Sequence, residues 1–394
     1  MWNDNREFDS MIYLLYCALN DAAPDASRLE GIDGGKFAAL CKQQQLSALV
    51  YMAAEKLDAA VFGEKGAERL RSNALQAIRV NVLFEMERMQ VFGALQRENI
   101  PYMPLKGCVL KQYYPEAKRR EMGDVDVLID AENAERIREL MISLGYACED
   151  FGETHHDEYF KEPFYTFEMH RSLSHHFGDT WDHYYENIRE KLLPSGDGSC
   201  ELRFTDEDFY LYLVAHEYKH YCFSGTGLRS LLDIYVYLNH KTLDLEYVAQ
   251  EARKMGCAEY ERINRELALA LFGDGELTAE GEEMLTYIVS SGTYGTNKQR
   301  VQNKMKRKGW GKSRYVLNRF FVPVSRKNEA YDAFSRQYPT FYKHKILLPF
   351  LPFYRTARAI RGGRFGGELK SIRAAGADGV KPDEGGEKNA KKND

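Results

Sequence analysis

Near residue 100 the hydrophobic period of this chain changes, and the change limits the folds open to it. From Phe8 to Leu95 apolar residues recur at helical spacing: Met11, Leu14, Leu15 and Leu19 in one stretch, Leu40, Leu46, Val50 and Met52 in another. A third stretch, from Ala67 to Gln96, runs through Leu70, Leu75, Ile78, Val82, Phe84, Met89, Phe92 and Leu95 without a proline. After Pro101 the period falls to two. Tyr102-Met-Pro-Leu is short and extended, and Val125, Val127 and Ile129 alternate with Asp124, Asp126, Leu128 and Asp130. A helix is expected from Ala131 to Leu144, closed by Gly145, then two strands, Tyr159 to Lys161 and Phe164 to His170.

Beyond Asp179 the helical period returns. Thr205-Asp-Glu-Asp reads as a capping-box start for a helix ending near Cys222, with further helices at Leu228 to Asn239, Leu245 to Met255, Ala258 to Phe272 and Ala279 to Ser290. The chain is therefore expected to be α+β and mainly helical, with a small mixed sheet flanked by N- and C-terminal helical regions. The divisions predicted are a helical region over 1–99, an α/β core over 100–175 and a helical region over 176–300. A basic region over 301–373 and a disordered tail over 374–394 complete the chain.

Composition narrows the class. Seven scattered cysteines without a CxxC pair form neither a disulfide framework nor a thiolate zinc cluster. The acidic start lacks the features of a secretory signal, and no uncharged apolar run approaches the roughly 20 residues of a membrane span, so the cytoplasm is the expected compartment. The net charge of -5 hides a polarity: residues 300–373 hold 19 Lys+Arg against 3 Asp+Glu, and residues 1–299 hold 31 against 51. That basic segment, with Lys304-Met-Lys-Arg-Lys-Gly-Trp and Lys343-His-Lys-Ile-Leu-Leu-Pro-Phe, either clamps the acidic body or meets nucleic acid or, peripherally, an anionic membrane; the clamp is favoured.

Period two sends the carboxylates of Asp124 and Asp126 to one face while Val125 and Val127 enter the core. Two hard oxygen donors side by side suit a divalent cation of the magnesium type, with substrate phosphates completing its shell. If the strand carrying Glu168 pairs beside the first, three acids converge and can hold two ions about 4 Å apart. Upstream, Leu105-Lys-Gly reads as a strand-to-helix turn, where Lys106 supplies charge and Gly107 lets a phosphate approach the backbone. His170 shares the face of Glu168, and His155 and His156 have weaker claims on the cleft.

This order of motifs resembles the nucleotidyltransferase superfamily typified by DNA polymerase beta, and more closely its uncharacterised bacterial family. The matching pieces are Pro104-Leu-Lys-Gly, Tyr113-Tyr-Pro, Arg120-Glu-Met-Gly-Asp-Val-Asp-Val-Leu-Ile, Leu144-Gly-Tyr and Phe167-Glu-Met-His-Arg-Ser-Leu. His216-x3-His220, Leu228-Arg-Ser-Leu-Leu-Asp-Ile, Tyr338-Pro and Leu347-Leu-Pro-Phe extend the likeness over roughly residues 10–360. The resemblance implies a minimal nucleotidyltransferase core that moves a nucleoside monophosphate from an NTP to a hydroxyl on a small molecule, sugar or protein. It implies Mg (or Mn) at Asp124, Asp126 and Glu168, the triphosphate at Lys106 and Gly107, and charge neutralisation by Arg120. One departure is that Cys108 follows Gly107 where the superfamily commonly has serine.

His216-Glu-Tyr-Lys-His220 matches the HExxH pattern of zinc hydrolases, with His216, Glu217 and His220 in the named roles and Glu246 or Glu251 as distant acids. The metzincin extension fails, since Phe223 and Thr226 stand where glycine and histidine belong. Packed core histidines and cleft-lining histidines are the other readings. Arg229 and Asp233, four residues apart, are expected as a helical ion pair or as cleft residues. A catalytically inactive binding protein with the same fold is the remaining alternative; a manganese glycosyltransferase is less attractive because it leaves Glu168 without a role.

Overall fold

The computed structural model describes residues 5–149, 151–173, 179–291, 297–309, 311–319, 322–324 and 331–361. Contacts divide the chain into two units, one of Met1–Tyr221 with Thr226–Thr293 and one of Cys222–Gly225 with Tyr294–Asp394.

The first unit opens with helices α1 Arg6–Leu19, α2 Gly34–Gln43, α3 Ser47–Ala54 and the long α4 Glu64–Arg97. Asp33 caps α2 by accepting from the Gly35 and Lys36 amides. Then come β1 Tyr102–Pro104, the four-residue α5 Gly107–Leu110, β2 Val125–Ile129 and α6 Ala134–Ser143. Gly145, at φ +88°, lets the chain leave α6 in the left-handed conformation expected of it. β3 His156–Lys161 and β4 Tyr165–His170 complete a sheet of order β1-β2-β4-β3. β2 and β4 run parallel, and the other neighbours are antiparallel. A parallel pair needs a crossover, which α6 supplies here.

Beyond the sheet lie α7 Asp179–Glu186, the ribbon β5 Leu193–Pro194 and β6 Leu202–Arg203, then α8 Asp206–Phe223, α9 Leu228–His240, α10 Leu245–Lys254, α11 Ala258–Phe272 and α12 Ala279–Ser291. Only half of the expected capping box forms at α8. The Asp208 amide donates to Thr205 Oγ1, but the Asp208 carboxylate turns away to Lys191 and Tyr247.

A separate core lies on each face of the sheet. Val125, Val127, Ile129, Tyr159, Phe167 and Met169 pack with Phe84, Val91, Phe92 and Leu95 of α4 and Ile137 and Met141 of α6. Met103, Leu105 and Leu128 join the larger core built from α1–α3 and α8–α12. β2 is thus buried along its whole length, so the polar side chains it carries are enclosed.

The second unit contains α13 Asn297–Lys308, α14 Lys312–Arg319, α15 Tyr331–Gln337, α16 Pro339–Lys343 and α17 Leu351–Arg361. Tyr331, Tyr342, Leu348 and Leu351 form its small core, and Ile346, Phe350 and Phe353 are exposed. The predicted disordered tail over 374–394 and Trp310 lie outside the described residues. Among the described residues no helix is long and apolar enough to cross a membrane.

Candidate active site

The site grows from strand register. Asp126 lies opposite Glu168, Leu128 opposite His170, and on the other side of β4 Glu158 lies opposite Glu168 and His156 opposite His170. Alternation therefore gathers Asp126, Glu168, His170, Glu158 and His156 on one face. Asp124 sits just ahead of β2, at the open end of this row. The sequence reading starts β3 three residues late, at Tyr159; His156 and Glu158 belong to the strand and to this face.

Asp126 is the centre. It is 4% exposed, lies 2.6 Å from Lys106 Nζ and accepts from His170 Nε2 at 2.9 Å. Burial alone would raise its pKa, but the Lys106 charge and the His170 bond outweigh burial and hold the carboxyl well below the usual range. Lys106 answers in kind. Its burial favours the neutral form, and the charges of Asp126, Asp124 and Glu168 overcome that and raise its pKa. His170 Nε2 also lies 3.3 Å from Glu168 Oε2. Burial disfavours the imidazolium, and the bonds to Asp126 and Glu168 reverse the balance upward.

Asp124 behaves oppositely to its neighbour. Its surface is open to solvent, yet surrounding protein and the adjacent Asp126 charge push its carboxyl up to about 6, with Lys106 only partly offsetting them. The two acids of one motif are thus shifted in opposite directions.

Lys106 reaches Asp126 from a strained backbone, φ +44° and ψ −119°, at the residue preceding α5. A non-glycine residue held there costs about 1–3 kcal/mol and persists where its surroundings over-determine it, often at functional sites. Gly107 has a different constraint. A Cβ there would stand 2.3 Å from Arg120 Nη1 and 3.4 Å from Met122 Cε, so the glycine makes room for the Arg120 guanidinium. Cys108 faces the α4–α6 core, and burial followed by the Asp126 charge pushes its thiol up to about 12.

Arg120 and Asp233 are brought together, 113 residues apart, in a buried fork: Nε to Oδ1 at 2.8 Å and Nη2 to Oδ2 at 2.6 Å. Tyr114 Oη donates to Oδ1 at 2.7 Å. This corrects one expectation. The predicted Arg229–Asp233 helical pair does not form, because the buried carboxylate is saturated by a bidentate arginine and a phenol. Arg229 instead donates to the Glu121 carbonyl at 3.1 Å and to Gln45. Arg120 in turn ties the α5 turn to α9 and is sheathed in protein.

On α8, His216 and His220 face each other Nε2 to Nε2 at 3.1 Å. The charges of Lys106, Asp126 and His170 act on His216. Burial first, then Lys106, pushes it well below its usual pKa, and burial with His216 pushes His220 down to about 3. Glu217 accepts from Thr226 Oγ1 at 2.7 Å. Among the described residues no third histidine, cysteine or carboxylate joins His216 and His220 as a metal group, and Glu251 is taken by Tyr184 and Lys254. Tyr212, one turn before His216, was not singled out from sequence; burial and then Asp126, Glu168 and Asp124 raise its phenol well above 10. Its signal in the sequence was its place on the His216 stripe.

Asp126, Glu168 and His170 form one group whose donor atoms lie within 4.8 Å of one another. Two carboxylates, Asp126 buried and Glu168 half-buried, and the buried imidazole of His170, with Asp124 beside them, fit a hard divalent cation. No curated protein and no solved structure matches the chain. A family model described as uncharacterised nucleotidyltransferase matches residues 30–273, more than half of the chain. The matched span takes in the Lys106 turn, the aspartate strand, Glu168 and the helix that carries Asp233, and by that extent the chain belongs to the uncharacterised nucleotidyltransferase family.

Proposed function

We propose that this protein transfers a nucleoside monophosphate from an NTP, with magnesium or manganese, to a hydroxyl acceptor. The observation that carries the reading is the convergence of Asp126 and Glu168 on neighbouring parallel strands, with Asp124 beside them and Lys106 against Asp126. A divalent ion held at these carboxylates would neutralise triphosphate charge and polarise the α-phosphorus.

Within that reading each residue has work of its own. Asp124, Asp126 and Glu168 would hold the cation. Lys106 supplies a positive charge that exchanges Asp126 for a triphosphate oxygen when nucleotide arrives. Arg120 sets the turn through Gly107 and Asp233, a positioning role. The acceptor hydroxyl oxygen bonds to the α-phosphorus, the bond to the bridging oxygen breaks, pyrophosphate leaves, and the hydroxyl proton passes to a carboxylate of the set. Neutral His216 and His220 line the approach as uncharged donors and acceptors.

The test is thermal stability of the full chain with ATP, GTP, CTP and UTP, each with and without magnesium. A nucleotide at 100 times its dissociation constant adds about 2.7 kcal/mol, which a melting curve resolves. The expected result is a magnesium-dependent shift lost in Asp124→Asn and in Asp124→Ala/Asp126→Ala. A folded wild-type sample that shifts with none of the four nucleotides overturns the reading in favour of a binding protein that kept the fold.

A further inference from the structure

We propose that His155, His156 and His170 form a second metal site, one for a borderline divalent ion of the zinc type, beside the carboxylate site and separate from the HExxH helix. Their donor nitrogens all lie within 4.8 Å of one another. His155 Nε2 and His156 Nδ1 are 3.2 Å apart. Two nitrogens bound tetrahedrally to one ion at about 2.0–2.1 Å are separated by about 3.3 Å, so these two rings already hold the spacing of a chelate.

The fold makes the cluster. β3 pairs with β4 so that His156 lies directly across from His170 on the polar face. His155 stands where the pairing begins, and its carbonyl accepts from the Arg171 amide at 2.8 Å, which fixes the backbone next to its neighbour. The rings of His155 and His156 meet edge to face at 4.4 Å, and each comes within 5.6 Å of the His170 ring. His155 and His156 are half-buried and His170 is buried, which leaves a path for an ion from the solvent side.

Ligand chemistry separates the two sites. Imidazole suits zinc, cobalt and nickel, while carboxylate oxygen suits magnesium and manganese. His170 belongs to both groups, and its Nε2 contacts Asp126 and Glu168. These carboxylates supply negative charge next to the three rings, as carboxylates behind metal-bound histidines do elsewhere. An ion on the imidazoles therefore draws on the residue that now hydrogen-bonds Asp126, and the two sites compete for it.

The experiment strips the full chain with a chelator and titrates it with cobalt, reading the visible ligand-field band, then displaces cobalt with zinc. One equivalent with an intense tetrahedral band is expected for the wild type. That binding is lost in His155→Gln/His156→Gln and weakened in each single variant, while Asp124→Asn and His216→Gln/His220→Gln retain it. Circular dichroism checks that each variant is folded, and the single variants carry the test if the double variant is not. No stoichiometric binding by the wild type, full binding by the variants at 155 and 156, loss through His216 and His220, or a thiolate-to-cobalt charge-transfer band each overturns the proposal. The readout needs no nucleotide, so its outcome stands apart from that of the nucleotidyl-transfer test.

Discussion

Lys106 Nζ lies 2.6 Å from Asp126 Oδ1, and the lysine makes this contact from a backbone with φ +44°. The ammonium sits among three carboxylates that without it would repel one another. Local strain and charge balance are therefore two sides of one arrangement. The turn holds an unfavourable conformation, and from it the lysine reaches Asp126.

Strain and charge separate by substitution. Both Lys106→Ala and Lys106→Gly remove the ammonium, but only glycine adopts positive φ without cost. Lys106→Gly should be more stable than Lys106→Ala by about 1 kcal/mol in urea unfolding. Equal stability would mean that the turn relaxes once the lysine is gone.

The Arg120 fork makes the opposite kind of prediction. Arg120→Met strands the Asp233 carboxylate in the interior and should cost about 3–5 kcal/mol, and Tyr114→Phe about 1–3 kcal/mol. If Arg120→Met costs under about 1 kcal/mol yet abolishes nucleotide-dependent stabilisation, the guanidinium is a ligand contact and not a strut.

Asp124 yields a pH window. Its folded pKa of about 6 exceeds its ordinary value of 3.8, so the folded state favours the protonated acid. The stability it contributes is complete below 3.8 and is lost as pH rises through about 6. Asp124→Asn should therefore gain melting temperature over the wild type above that window and show no gain below it. Magnesium–nucleotide binding should strengthen across the same window, since the cation needs the ionised carboxylate. A flat difference in melting temperature from pH 4 to pH 8 would contradict the shift.

The His216–His220 pair acts in the other sense. Both imidazoles are held below the ordinary 6.5, His220 at about 3, so unfolding takes up protons in acid. Stability from this pair is present above 6.5 and is lost as pH falls toward 3. His216→Phe/His220→Phe should flatten that acid-side decline, measured as urea midpoints across the range. An unchanged decline would place its origin elsewhere.

Much of this site was legible in the sequence where one local rule decides geometry. Period two alone put Val125 and Val127 in the core and Asp126 on the polar face, and the same rule on β4 put Glu168 and His170 together. It failed where pairing overrides local preference. His156-Asp-Glu has little intrinsic tendency to extend, and only its register against β4 makes it strand, so in the sequence His155 and His156, two of the three histidines of the cluster, have no more than weak claims on the cleft. The Arg120–Asp233 fork was illegible for a related reason. A four-residue spacing made Arg229 the evident partner of Asp233, and only the packing of α9 against the α5 turn brings a bidentate competitor from 113 residues away.

The contact between Gly107 and Arg120 changes what the Lys-Gly pair means when it is met in another chain of this family. The glycine answers to a guanidinium inside the protein, so selection can preserve it for folding alone. A relative that keeps the counterparts of Gly107, Arg120 and Asp233 but has lost those of Lys106 and Asp126 would assemble the same scaffold around a silent site. On the proposed function, the lysine and the aspartates, and not the glycine, would be the letters by which working members are told from retired ones.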